Sequence, residues 1–256
     1  MQTFAIINSM LFRLILLFVI LVFVPAYSFA TEIRVAVASN FKETIATLAQ
    51  RFEANSDYKV TLSFGSTGKH YAQIKNGAPF DVFLAADVRR PKLLEEEGVA
   101  VSGSRFTYAI GKIVLWSPNK DSIDADVKVL EYDEFRYLSI ANPKLAPYGL
   151  AAKEILQARN LWNRLSKKIV RGENVAQAFQ FIKSGNAELG FVAYSQIKSP
   201  KHKIDGSFWM VPQVLYTPIK QQAVIIKDSE AAREFISFVR SKEALKTIRD
   251  YGYDTP

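Results

Sequence analysis

The chain has 256 residues, a formal charge of +8 and no cysteine. The missing cysteines exclude disulfide staples, thiol catalysis and Cys-based metal sites. The basic residues are scattered rather than gathered into the stripe of a nucleic-acid-binding surface, and the positive balance favours anionic ligands through long-range attraction.

Residues 1–30 read as an export signal. Leu11 to Val24 is an apolar run broken only by Arg13, and Pro25, Ser28 and Ala30 resemble a small-residue cleavage site. The other reading is a membrane anchor, but the run is shorter than the about 20 apolar residues a span needs. Cleavage after Ala30 leaves residues 31–256, enough for one or two domains with a real core.

Ile33-Arg34-Val35-Ala36-Val37-Ala38 is nearly continuous in apolar residues and predicts a buried parallel strand. Phe41, Ile45, Leu48 and Phe52 then recur at helical spacing. Ser39 or Asn40 is the candidate N-cap, with Glu43 placed as the partner in a capping box. Tyr58 to Phe64 alternates as a strand and leads into Gly65-Ser66-Thr67-Gly68-Lys69, with a helix expected from about Tyr71. Two glycines bracketing two hydroxyl residues at a strand-to-helix turn suit a close backbone approach to an anion. A plain N-cap explains the same residues. Phe80 to Ala85 is a further strand, and Ala86-Asp87 opens the helix Val88 to Glu97. Three strand–helix units in a row predict a parallel sheet wrapped by helices.

Thr107 to Ile110 and Lys112 to Trp116 read as strands around Gly111, and Leu138 to Ala141 as another. In Asn142-Pro143-Lys144-Leu145-Ala146-Pro147-Tyr148-Gly149 two prolines fix a loop and hold Tyr148 in place; Tyr148 as core filler is the competing reading. A helix follows from Leu150. Lys168 to Arg171 is a strand, and the N–H groups of Asn174 to Ala176 stand unpaired at the start of the next helix. Leu189 to Ala193 is a strand ending at Tyr194-Ser195. Trp209 to Val211 and Gln222 to Ile226 are strands, and two helices close the chain.

Several chemistries lack their residues. His70 and His202 lie in no metal-ligand spacing and read as solvated. Ser63 and His70 stand where a phosphate-binding P-loop needs Gly and Ser/Thr. No G-x-S-x-G elbow occurs, and Glu95-Glu96 fits an exposed helix face.

Val35-Ala36-Val37-Ala38-Ser39-Asn40-Phe41, Phe64-Gly65-Ser66-Thr67-Gly68 and Gly77 to Asp87 together resemble the periplasmic molybdate-binding proteins of ABC transporters, the ModA family. The similarity continues through Asn142-Pro143, Ala146 to Gly149, Gly172 to Val175 and Gly190 to Ala193, and covers nearly all of residues 31–256. It implies an α/β fold of the type II periplasmic binding proteins. Such a protein has two domains, each a mainly parallel sheet flanked by helices, with the ligand in the cleft between them. It also implies a receptor for molybdate or tungstate that delivers the anion to a membrane permease. Such a receptor is a monomer in the periplasm, has no cofactor and is not an enzyme. By matching position, the resemblance gives as ligand residues Ser39, its neighbour Asn40, the hydroxyl of Thr67, and the backbone N–H groups of Ala86 and Val175. A tyrosine hydroxyl completes the set, from Tyr148 or Tyr194; Asn40 and Pro147-Tyr148-Gly149 match the branch that uses Tyr148. Many members have Ser where this chain has Thr67. Rival readings are a sulfate or phosphate receptor, and a secreted enzyme that lacks a visible nucleophile–base pair. The expected division is residues 31–109 plus 226–256 against 110–225, with the chain crossing near Ile110 and again near Ala223 to Ile226.

Overall fold

The structure is a computed structural model that describes residues 31–201 and 205–256; the segment expected to be an export signal and His202 lie outside the described residues. Ten strands form two five-stranded sheets. The first sheet has the order β2-β1-β3-β10-β4, from β1 (Thr31–Ala38), β2 (Tyr58–Gly65), β3 (Val82–Leu84), β4 (Phe106–Gly111) and β10 (Ile219–Ile225). The second has the order β7-β6-β8-β5-β9, from β5 (Ile113–Ser117), β6 (Leu138–Ala141), β7 (Ile169–Gly172), β8 (Leu189–Ala193) and β9 (Ser207–Met210). In each sheet one strand, β10 or β5, runs against the other four. This is the mainly parallel, two-domain architecture of the periplasmic binding proteins.

The helices are α1 (Lys42–Ala54), α2 (Thr67–Lys75), α3 (Arg89–Glu96), α4 (Val129–Tyr132), α5 (Pro147–Ala158), α6 (Trp162–Leu165), α7 (Val175–Lys183), α8 (Tyr194–Ile197), α9 (Glu230–Val239) and α10 (Lys242–Asp250). The strand alternation decides which helices cover which face. Ile33, Val35 and Val37 of β1 pack with Ile45, Phe235 and Ile248 from α1, α9 and α10. Ala36 and Phe83 face the other way, against Ile74 and Leu94 from α2 and α3. The second sheet repeats the plan. Ile113, Leu115, Ile140 and Phe191 pack on α5, while Val114, Trp116 and Val192 pack on Phe179 and Ile182 of α7. Central strands buried on both faces explain the unbroken apolar runs.

Four differences from the sequence reading bear on the site. The helix after the glycine–hydroxyl turn begins at Thr67, four residues early, because Ser66 caps it by accepting the N–H of Lys69 at 3.4 Å. Ser39 and Asn40 do not cap α1: they form a short 3-10 turn with Phe41, and α1 follows without a side-chain cap. Tyr148 is not in a loop but in the first turn of α5, behind Pro147, whose fixed φ suits a helix start. His70 is buried, not solvated. Its ring lies edge-on to Phe80 and Phe83, and its Nδ1 meets Gln73 Oε1 at 3.1 Å.

The sheets also draw a different line from the expected division. Ile110 and Gly111 pair with β10 in the first sheet, and β10 pairs with β3 and β4, so residues 110–111 and 219–225 belong to that sheet. The polar start of β10 hid its first half, so only Gln222 to Ile226 read as strand.

Candidate functional site

Six of the seven expected ligand residues come together where the two sheets meet. Ser39 and Asn40 follow β1, Thr67 follows β2, Ala86 follows β3, Tyr148 follows β6 and Val175 follows β7. All six are buried. Each sits just past the carboxyl end of a strand, where open α/β sheets bind ligands. Thr67, Tyr148 and Val175 also lie in the first turns of α2, α5 and α7, at the positive ends of those helices.

The hydrogen bonds around these residues follow one pattern. Thr67 Oγ1 accepts the N–H of Ala86 at 3.0 Å. Ser39 Oγ accepts the N–H of Ala176, in the first turn of α7, at 3.4 Å. The Tyr148 hydroxyl accepts the Nε2–H of Gln221 at 3.3 Å. A hydroxyl has one proton to give and can accept as well. In all three cases a protein N–H fills an acceptor position, which leaves the O–H proton for something else.

Two expected donors are placed differently from the sequence reading. The N–H of Ala86 is directed to Thr67 rather than standing alone. The amide nitrogen of Asn40 donates to Gln221 Oε1 at 2.8 Å and to the Tyr253 hydroxyl at 3.1 Å. That uses both hydrogens of the side-chain amide, so a ligand could draw only on the main-chain N–H of Asn40. At α7 the cap residue Asn174 accepts the N–H groups of Ala176 and Gln177 at 3.0 and 3.1 Å. The first N–H of the helix, that of Val175, lies outside these capping bonds.

Tyr194 does not join the group. It opens α8 and packs beside Phe208, with ring centroids 6.0 Å apart, and against Gly252. It belongs to the cluster on the α7 face of the second sheet, whereas Tyr148 belongs to the cluster on the opposite face, together with Ala38, Ala86 and Val175.

The tyrosine hydroxyls at the centre remain protonated. Burial pushes Tyr148 and Tyr108 well above the ordinary phenol range and also raises Tyr253. Nearby charges are paired: Asp87 with Arg90, and Lys69 with Glu173 at 3.0 Å. The latter joins the two lobes, as do the N–H of Gly68 to the Leu145 carbonyl at 2.9 Å and Arg90 Nη2 to the Lys144 carbonyl at 3.1 Å. Thr31–Pro256 packs as one compact unit.

The model of the bacterial extracellular solute-binding protein family matches residues 33–254. The molybdate-binding protein ModA of Azotobacter vinelandii is 49% identical over 227 residues, which cover 88% of this chain and 90% of that protein. The chain belongs to the ModA family of bacterial solute-binding proteins. The molybdate-binding protein ModA of Rhodobacter capsulatus is 47% identical over 229 residues, 88% of this chain and 89% of its own length. The solved structure of the Azotobacter vinelandii periplasmic molybdate-binding protein superposes with a TM-score of 0.85 at 43% identity, covering 88% of this chain and 99% of that one.

Gln221, Tyr108, Tyr253, Ser195 and Gly111 are in no sequence motif, yet they hold the centre. Gln221 Oε1 also accepts the Tyr108 hydroxyl at 3.0 Å. Ser195 Oγ lies 3.2 Å from the Asn40 carbonyl and 2.8 Å from the Tyr253 hydroxyl. A Cβ on Gly111 would collide with the Tyr148 hydroxyl and Gln221 Nε2. The available signals were the adjacent glutamines opening an apolar strand and a glycine between two apolar strands; neither specifies a partner.

Proposed function

We propose that this protein captures molybdate or tungstate in the periplasm and delivers the anion to the membrane permease of an ABC transporter. It acts as a monomer, without a cofactor, with no nucleic-acid partner and no catalytic step. Residues 1–30 serve as its export signal. The ligand residues are Ser39, Thr67 and Tyr148 through their hydroxyls, Asn40 and Val175 through main-chain N–H groups, and Ala86 through Thr67; Tyr194 is not among them.

The observation that supports this reading is that each of the three hydroxyls accepts one protein N–H, from Ala86, Ala176 or Gln221. Each of these hydroxyls keeps its own proton to donate to an anion in the cleft. Such a site suits a fully ionised tetrahedral oxyanion. A phosphate that keeps a proton needs an acceptor in the site, and these hydroxyls have one lone pair fewer to offer it. Binding through neutral dipoles also avoids burying an unpaired side-chain cation whenever the site is empty.

We further infer that the chain exchanges lobes at Lys112 and again between Tyr216 and Ile219, so that residues 31–111 plus 219–256 move against 113–216 as the cleft opens. Calorimetric titration of residues 31–256 tests the ligand. Molybdate and tungstate should bind at micromolar or lower concentration, and excess sulfate or phosphate should not displace them. Absence of a molybdate response, or equal displacement by sulfate, would overturn the assignment.

A further inference from the structure

Gln221 is a fully buried, uncharged polar side chain on a strand that approaches the cleft from the first sheet. The register of β10 against β4 shifts between Gln221 and Gln222, the signature of a bulge. Bulges re-aim side chains, and both glutamines are used. Gln222 turns to Arg105, whose Nη1 donates to its Oε1 at 2.7 Å, and to Thr107 Oγ1 at 3.1 Å. Gln221 turns inward. Its carbonyl oxygen accepts from Asn40 Nδ2 at 2.8 Å and from the Tyr108 hydroxyl at 3.0 Å, and its Nε2 donates to the Tyr148 hydroxyl at 3.3 Å. One amide thus ties two first-lobe residues to the tyrosine of the second lobe.

The polarity of that bond has a consequence. An amide flipped end for end would set its carbonyl against Tyr148 and its NH2 against the NH2 of Asn40, two donors facing each other. With the Asn40 amide donating to Gln221 Oε1 and to the Tyr253 hydroxyl, Gln221 is held with its Nε2–H toward Tyr148, which is an acceptor on its inner side. The single phenol proton is then available on the outer side.

We propose that Gln221 is the positioning residue of the oxyanion site, fixing Tyr148 as a donor to the bound anion. The inference rests on the reading of Tyr148 as a ligand residue. Gln221 acts through that hydroxyl and need not touch the anion. It also couples closure to binding, since the bond to Tyr148 is made between the lobes.

The test is a double-mutant cycle on residues 31–256, read as molybdate affinity by calorimetry, with thermal unfolding of each unliganded variant to confirm folding. Gln221→Met keeps the volume and removes the hydrogen bonds; it should weaken molybdate binding about tenfold, the loss of one oriented charge-assisted bond. In a Tyr148→Phe background the same change should cost less than about threefold, because the hydroxyl it positions is gone. A purely structural role would lower affinity equally in both backgrounds. Gln221→Glu is a second variant should the first fail to fold. Its carboxylate keeps both acceptor bonds but takes the phenol proton, so it should bind molybdate more weakly than Tyr148→Phe does. The proposal is overturned if either folded Gln221 variant binds like wild type, or if the Gln221→Met and Tyr148→Phe losses simply multiply. If Tyr148→Phe itself is silent, the ligand role of Tyr148 fails and this inference with it. If Tyr148→Phe weakens binding and the Gln221 variants do not, the positioning role alone fails.

Discussion

Tyr148 and Tyr194 each stand in the first turn of a helix that follows an apolar strand of the second sheet, Tyr148 after a short connection and Tyr194 directly. They end on opposite faces of that sheet. Tyr148 follows β6 into the side that meets the first lobe, where Gln221 and Gly111 close around its hydroxyl. Tyr194 follows β8 to the side covered by α7, where its ring packs against Phe208 and Gly252. What separates them is what stands behind the oxygen. Gln221 Nε2 donates to the Tyr148 hydroxyl at 3.3 Å, while the Tyr194 ring packs beside Phe208.

The largest expected effect comes from removing the space that lets Tyr148 in. Gly111→Ala would set a methyl into the Tyr148 hydroxyl and Gln221 amide. Because the site is close-packed, the tyrosine must move, and molybdate binding should fall more than a hundredfold in a titration. Near-normal binding by Gly111→Ala would show that Tyr148 is free to sit elsewhere.

The next effects sharpen the same comparison from the first lobe. Ser39→Ala and Thr67→Ala each remove a hydroxyl backed by an N–H, from Ala176 and Ala86 respectively. A hydrogen bond to a charged acceptor contributes roughly 1.5 to 3 kcal/mol, so each variant should lose about tenfold to hundredfold in affinity. Thr67→Ser keeps the oxygen and should stay within about threefold, as the common Ser at this position in the family implies. If both alanine variants bound like wild type, the donors would lie elsewhere.

A smaller effect belongs to the rim. Lys69 and Glu173 are about half exposed and pair across the lobes at 3.0 Å. Exposed pairs contribute about 0 to 1 kcal/mol and are screened by salt. Lys69→Gln should therefore change molybdate affinity less than about fivefold, and the difference should shrink at high ionic strength. A large, salt-insensitive loss would mean that Lys69 reaches the anion.

Legibility followed locality. The strand–helix alternation and the turn at Ser66-Thr67 could be read because each depends on neighbours in sequence. At that turn Ser66 is the plain cap, and the Thr67 hydroxyl accepts the N–H of Ala86. The capping role given to Ser39 and Asn40 failed because their side chains answer to α7 and β10 rather than to α1. Gln221 and Tyr253 escaped notice for the same reason. Their partner Asn40 is 181 and 213 residues away in sequence, and no local pattern encodes such a pairing. His70 read as solvated because a polar residue at a helix start usually is; here Phe80 and Phe83 come from a different strand–helix unit to cover it.

The two tyrosines provide the most direct test. Tyr148→Phe and Tyr194→Phe each delete one oxygen and keep the ring, so calorimetric titration with molybdate compares hydroxyls alone. Tyr148→Phe should bind about tenfold to hundredfold more weakly than wild type, and Tyr194→Phe should match wild type. A weak Tyr194→Phe beside an unaffected Tyr148→Phe would contradict this account and move the donor to the end of β8.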